Sequence, residues 1–440
     1  METTYLSGLD RVEGVATLLI MALGGALVAA LASRLVRTSK IIRPMLLGLA
    51  LDTLVLFVLI IAFGSLDADA RLWHSLGTVA AQNLTEDISA QYSTVLSKEG
   101  KEGYIWILGL LYVAGGPTPL LGVALNLIAR GLTIAVVART TQELADEAGI
   151  SKKLTDRSVM IAGYITALLP CFAIWAPQLL RESLTVLLIS VTVCVAVVLC
   201  RKRSVVPLLV IIAALALLAW IRQTLGVSVG IAVIFALLFV LLGRSLHARM
   251  FRMILTIVAV PAIPLLLQQV LAIIGMESDS IIGTTADLSE TASSGFPGLS
   301  DGTSLTTVFL ITVPRVIAGP FPWEMNGEFV MLLAFIDLAC WLLVLSTSLL
   351  AVRLFREGKL LARANWMLPL VLITVAALVL GLSMITGNYG LLARFRPTVT
   401  ILLIPLSAFW FGHSSMLYDT GASATVGSRG SAKLATLRWD

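Results

Sequence analysis

The stretch Ser65 to Leu84, SLDADARLWHSLGTVAAQNL, decides how the rest of the chain is read. It begins where a long apolar run ends, and it opens the first sizeable polar loop. Asp67 and Asp69 precede a pattern in which Leu72, Trp73, Leu76, Val79 and Leu84 recur at helical spacing. The spacing predicts an amphipathic helix on a membrane surface, with a pair of carboxylates at its start. Almost everything around it is apolar, so chemistry has few other places to reside.

Working outward, 58% of the 440 residues are hydrophobic and only 13% are charged. Apolar runs long enough to cross a hydrocarbon core of ~30 Å recur along the chain. The fold class expected is all-α: a polytopic integral membrane protein of about 11 transmembrane helices. The basic residues are spread over short loops instead of lining one face, so the formal net charge of +5 implies no nucleic-acid partner. Cys171, Cys194, Cys200 and Cys340 lie in or beside apolar runs without metal-ligand spacing, and read as small buried hydrophobes.

The positive-inside rule orders the runs. Arg34, Arg37, Lys40 and Arg43 end the first run (15–32) on the cytoplasmic side, which places the N-terminus outside and predicts the first run is retained. Alternation through ten further runs (45–64, 120–138, 159–176, 184–200, 205–221, 227–243, 254–275, 329–352, 366–385 and 398–411) then leaves the C-terminus inside. Two apolar pieces, 104–115 and 306–321, are too short to cross and stop at Gly-Pro clusters, so they are expected as interfacial or re-entrant helices. Residues 1–412 read as one transmembrane domain with outer loops 65–103 and 276–304, and 413–440 as a cytoplasmic tail of disordered composition. The localisation expected is the plasma membrane, with the lipid bilayer as a partner.

The outer face then carries Arg181, Arg222, Arg315, Arg394 and Arg396, against the usual bias. Guanidinium binds phosphate in a bidentate fork and stays charged, so a convergent set suits a lipid phosphate or pyrophosphate. The competing reading is snorkelling to head groups, or pairing with acids such as Glu182 and Glu324. Asp67 and Asp69 also have two readings: a helix N-cap, or a general base that takes a proton from an acceptor hydroxyl. His74, on the same predicted helix, reads as an interfacial polar contact ahead of a ligand, and with Glu182 it joins the arginines in the candidate substrate-contacting set. Arg130, Asp52 and Asp337 fall in mid-run, where charge is costly, which leaves an ion pair or a polar path as the alternatives. No metal cluster, phosphate-cradling glycine loop or nucleophile constellation is present in the sequence, so no metal and no cofactor are expected.

The order of these parts resembles the C-type (GT-C) membrane glycosyltransferases, which include protein O-mannosyltransferases and aminoarabinose transferases. The matching stretches are DADARLWHSLG (67–77), GPTPLLGVALNLIARGLTI (116–134) and ALLPCFAIWAPQLLRESLTVLL (167–188). GPFPWE (319–324) and NYGLLARFR (388–396) are similar to segments of polysaccharide-cluster members of this kind. The resemblance implies transfer of a sugar from a polyprenyl-phosphate-linked donor to a glycan, lipid or protein acceptor at the extracytoplasmic face, with inversion. It implies Asp69 as the acid, Asp67 as second choice, and Arg394 or Arg396 as a donor-phosphate contact. The chain departs from the family in having two runs before the acidic loop, a Trp where Tyr is usual, and no large soluble outer domain. Two other classes fit the same residues: an O-antigen-type polymerase acting on undecaprenyl-pyrophosphate-linked glycans, which would need the arginines but not Asp69, and a non-enzymatic lipid-linked-glycan flippase lined by Arg130, Asp52 and Asp337.

Overall fold

The computed structural model describes residues 24–25, 27–63, 68–86, 102–202, 204–242, 295–297, 305–325, 329–356 and 367–427. Apart from an isolated bridge between Gly295 and Asn388, the regular structure of these residues is helical. In chain order the α-helices are α1 (Ile42–Phe63), α2 (Ala68–Glu86), α3 (Glu102–Gly115), α4 (Pro119–Ala148), α5 (Lys152–Leu168), α6 (Pro170–Trp175) and α7 (Glu182–Lys202). They continue with α8 (Val205–Ile221), α9 (Gln223–Leu242), α10 (Leu305–Ala318), α11 (Phe329–Arg356), α12 (Met367–Ile385) and α13 (Tyr389–Gly427). Six of the described helices contain segments long and apolar enough to cross a membrane: Ile42–Ala62, Pro119–Ala148, Glu182–Lys202, Gln223–Val240, Phe329–Arg356 and Tyr389–Ser415. Four apolar helices are shorter. The expected run at 254–275, most of loop 276–304 and Asp67 lie outside the described residues.

The bundle is apolar outside as well as inside. Leu46, Leu54, Phe57 and Ile61 on α1, and Leu332, Leu343 and Leu349 on α11, are exposed. A surface of that kind is stable only in lipid, where backbone groups must pair within the helices themselves. Two helices form the centre. α4 packs between α5 and α7, and α13 lies against α11, α5 and α7.

Local sequence sets the breaks. Gly116 adopts φ 81°, a left-handed conformation that a side chain would strain, and Pro119 then opens α4 at a position where its missing N–H costs nothing. α4 continues past the apolar run, which ended near Ala138, because Thr140, Thr141, Gln142 and Glu143 are buried too. It ends at Gly149, φ 66°, whose neighbour Ile150 donates its N–H to the Ala145 carbonyl. The run expected as one span over 159–176 is in fact two pieces. Pro170 cannot donate to the preceding turn and forces Leu169 into an extended conformation, so α5 stops at Leu168 and α6 starts anew. The last run also differs from expectation: α13 begins at Tyr389, so Arg394 and Arg396 sit on its first turns and not in a loop ahead of it. It extends to Gly427, so the first part of the tail predicted as disordered is helical.

Charge gathers at the two ends of the bundle. Glu182 and Arg201 mark opposite ends of α7, roughly 28 Å apart at ~1.5 Å per residue. At the Arg201 end, the buried Glu143 carboxylate accepts from Arg139 and lies 2.7 Å from Arg201. Asp146 bonds Arg37 there at 3.1 Å. The candidate site is at the Glu182 end.

Candidate functional site

Four elements that are remote in sequence meet at that end. The first turn of α2 supplies Asp69, the turn between α6 and α7 supplies Arg181, the α8–α9 junction supplies Arg222, and α13 supplies Arg394. Asp69 does begin a helix, as the sequence predicted. The face of α2 that packs on α3 consists of Trp73, Leu76, Gly77 and Ala80, while Leu72 and Leu84 are exposed. Close approach is possible because Gly77 meets Leu108 and Gly109 meets Ala80 with no room for a Cβ.

Arg394 Nη1 lies 2.5 Å from Asp69 Oδ2. The carboxylate is about half exposed, at 52%, whereas Arg394 is mostly covered, at 15%. The Arg394 guanidinium also stacks 4.6 Å from the Trp175 ring. Arg181 lies 5.2 Å from the Trp73 ring and donates to the Ile221 carbonyl at 3.2 Å. Arg222 sits 3.8 Å from the Phe395 ring, with Glu182 at 3.7 Å. Aromatic faces attract guanidinium without neutralising it, so the ring contacts leave the charge of each group intact. Burial lowers the pKa of Arg222 to about 9, with the like charge of Arg181 adding to the effect. Burial lowers that of Arg181 too, while Glu182, Tyr104 and Asp69 act to raise it. An anion between the two guanidiniums would relieve their mutual repulsion.

The other two arginines belong to a separate node. Arg315 donates to Glu324 Oε1 from Nε at 3.0 Å and from Nη2 at 2.6 Å, and the Tyr389 hydroxyl donates to Glu324 Oε2. Phe296 packs on Tyr389 with ring centres 4.8 Å apart, and its N–H donates to the Gly387 carbonyl. Arg396 is fully buried, pairs with Asp337 at 3.2 Å, and donates to the carbonyls of Gly319 at 2.6 Å and Arg315 at 3.3 Å. So the pairing of Arg315 with Glu324, raised by the sequence, is what is found. His74 Nδ1 and the Tyr112 hydroxyl are 2.9 Å apart, a contact that joins α2 to α3. Asp67 falls outside the described residues.

At mid-depth, Arg130 pairs with Asp52, and both are buried. Arg130 Nη2 also donates to the Ala167 carbonyl at 2.5 Å, in the last turn of α5 ahead of the Pro170 break. Asp337, as above, is held by Arg396. The three mid-run charges are therefore all engaged in ion pairs.

Sequence reading did not find Tyr104, Asn126, Trp175 or Phe395. Asn126 Nδ2 donates to the carbonyls of Gln178 and Leu180, both at 2.6 Å, and so fixes the turn that carries Arg181. A lone Asn inside an apolar run was the one available signal, since polar groups at that depth need partners. Among the described residues, no group of three or more His, Cys, Asp or Glu side chains could hold a metal ion. Comparison with protein families, curated proteins and solved structures finds no match for this chain.

Proposed function

We propose that this chain is a membrane glycosyltransferase of GT-C-like architecture, which moves a sugar from a polyprenyl-phosphate-linked donor to a glycan, lipid or protein acceptor. One observation carries the reading: Asp69, Arg181, Arg222 and Arg394, from four separate elements, come together at one end of the bundle. In this reading that end is extracytoplasmic, and the Arg37, Arg139 and Arg201 network marks the cytoplasmic end, in keeping with the positive-inside rule. The protein resides in the plasma membrane, N-terminus out and C-terminus in. The reading keeps the expected count of about eleven crossings, with the helices at 102–115 and 305–318 interfacial or re-entrant, and the product belongs to cell-envelope or exopolysaccharide assembly.

The chemistry is a single displacement. The acceptor oxygen forms a bond to the anomeric carbon as the bond from that carbon to the phosphate oxygen breaks, with inversion. The acceptor proton passes to the half-exposed Asp69 carboxylate. The electron pair leaves with the polyprenyl phosphate, whose growing charge is met by Arg181, Arg222 and Arg394. The donor phosphate displaces Asp69 from Arg394, so one binding event both loads the cation and frees the base. Asp69→Asn tests this with the full chain in vesicles. Transfer is expected to drop on the order of 10²–10⁴-fold with donor binding retained. Unchanged transfer would remove the base from the mechanism.

The Asp69–Arg394 bond also favours a second reading. A carboxylate already held by a guanidinium can serve only to position it, as in a polymerase acting on undecaprenyl-pyrophosphate-linked glycans. In that case Asp69→Asn keeps product formation while Arg394→Gln abolishes it.

A further inference from the structure

On the flank of the bundle, a cavity of about 140 Å³ lies between the helical residues around Val28, the first half of α1 and α4. Val28, Met45, Leu46, Leu49, Leu127 and Ile128 make its lining hydrocarbon. The three segments meet at Gly131, where a Cβ would come to 3.0 Å from Val28 Cγ1 and 3.9 Å from Met45 Cε. Beside Gly25, which also lines the cavity, a Cβ would meet nothing within 4 Å. Leu46 and Leu49 line the cavity and are themselves exposed, so it borders the lipid-facing surface. Apolar cavities stay dry, and in a bilayer hydrocarbon is what can enter one.

One helical turn before Leu46, Arg43 occupies the same face of α1. Side chains on a helix lean toward its N-terminus, which here is the end where Arg37 meets Asp146. Lys40 precedes α1 in the short turn Ser39–Ile41. Both cations are exposed, and no described acid pairs with either. Their neighbours differ: Arg37 and Arg201 share Asp146, and Arg139 and Arg201 share Glu143. The fold closes its own ion network there and leaves Lys40 and Arg43 out of it.

We infer that an anionic phospholipid of the leaflet at the Arg37 end, cytoplasmic by the positive-inside rule, lays an acyl chain in this cavity and its phosphate against Lys40 and Arg43. A free phosphate makes no use of the cavity, and a zwitterionic lipid brings a cation of its own toward the two side chains. The site is independent of the transferase reading, because it involves none of Asp69, Arg181, Arg222 or Arg394.

The test titrates the full-length protein in detergent micelles with dioleoyl phosphatidylglycerol or dioleoyl phosphatidylcholine, and counts bound lipid by native mass spectrometry. Each cation at head-group level contributes about fivefold to the binding of an anionic lipid, so the first site is expected to prefer phosphatidylglycerol roughly 25-fold. Lys40→Gln/Arg43→Gln should abolish that preference, and because both positions are exposed the variant should fold. Gly25→Leu should occupy the cavity and weaken the first binding event of both lipids about tenfold, the contribution of roughly two buried methylenes, without changing their ratio. Thermal melts in lipid-free micelles check the folding of each variant. Equal affinity for the two lipids, a preference that survives Lys40→Gln/Arg43→Gln, or unchanged binding to folded Gly25→Leu overturns the assignment. Two competitors separate the remaining sources. If glycerol 1-phosphate displaces phosphatidylglycerol at equal concentration, the cations hold a phosphate without a lipid. If decaprenyl phosphate binds the cavity more tightly than phosphatidylglycerol does, the cavity belongs to an isoprenoid chain. Either result overturns the phospholipid.

Discussion

Replacing Asp52 with Asn would leave the Arg130 guanidinium charged in the middle of the bundle without its counter-ion. Both side chains are nearly sealed from solvent, at 2% and 1% exposure. Breaking a buried pair from one side costs about 3–5 kcal/mol, most of it the penalty of the charge left behind. Arg130→Met strands the Asp52 carboxylate at a similar cost, and it also abandons the Ala167 carbonyl, worth a further ~1–3 kcal/mol. The double variant Asp52→Asn/Arg130→Met buries no charge, so only the carbonyl term remains, about 1–3 kcal/mol. The expected order of damage is therefore Arg130→Met, then Asp52→Asn, then the double variant, which would be more stable than either parent single. The protein carries its own reporter for this. Cys171, Cys194 and Cys200 are buried and not disulfide-bonded, so a thiol-reactive dye reads unfolding as they become accessible on heating. A double variant as unstable as Arg130→Met would refute the reasoning. A stable Asp52→Asn protein with lost turnover would mean that the pair lies on a polar path, and the structural account of it would be wrong.

Two further outcomes are expected from the same melts. A Cβ on Gly226 would meet Ala219 Cα at 2.4 Å and Ala219 N at 2.5 Å, backbone atoms that cannot rotate away, so Gly226→Ala should cost about 1–3 kcal/mol or more. Gly230→Ala, one turn along the same helix, meets only Leu215 Cδ1 at 4.0 Å and should leave the melt unchanged. Equal effects at the two sites would contradict the α8–α9 packing. Burial lowers the pKa of His74 below its ordinary value near 6.5, so the folded protein resists its protonation more than the unfolded chain does. Stability from this site is present above about pH 6.5 and declines as the pH falls below it. His74→Gln should flatten the decline between pH 7.5 and 5.5, and an unaltered slope would place its cause elsewhere.

Much of the architecture was legible because burial in lipid writes itself as long apolar runs. The helix after Asp69, the break at Gly116 to Pro119 and the pairing of Arg130 with a mid-run acid all follow from local rules. What was not legible depends on neighbours. The start of α13 was placed too late because the apolar run begins only after Pro397. The earlier signal was Asn388, whose Oδ1 accepts the Leu391 N–H at 2.8 Å as a helix cap. Arg394 and Arg396 looked like one pair in sequence. On a helix, two residues apart is about 200° around the axis, so one faces Asp69 and the other faces Asp337. Nor could the sequence show that Tyr104, at the edge of a short apolar piece, would be sealed against Asn126 and Glu182.

The buried polar groups of this bundle sort by how much of their hydrogen-bonding capacity the fold consumes. Helix breaks inside an apolar bundle expose carbonyls that no water can satisfy, and four of the described breaks have a side chain assigned to them. Arg130 takes the Ala167 carbonyl before Pro170, Arg396 takes two carbonyls at the end of α10, Asn126 takes two in the turn before α7, and Arg181 takes that of Ile221 at the end of α8. For Arg130 and Arg396 the carbonyls and the partner acids account for the residue's presence, so neither demands a functional explanation. The remainder is more informative. Arg222 makes a long ion pair and rests on a ring, and Glu182 keeps one buried oxygen unfilled. A fold that spends these polar side chains on its own breaks, yet leaves Arg222 and Glu182 with capacity in hand, has placed the two for something that arrives from outside the chain.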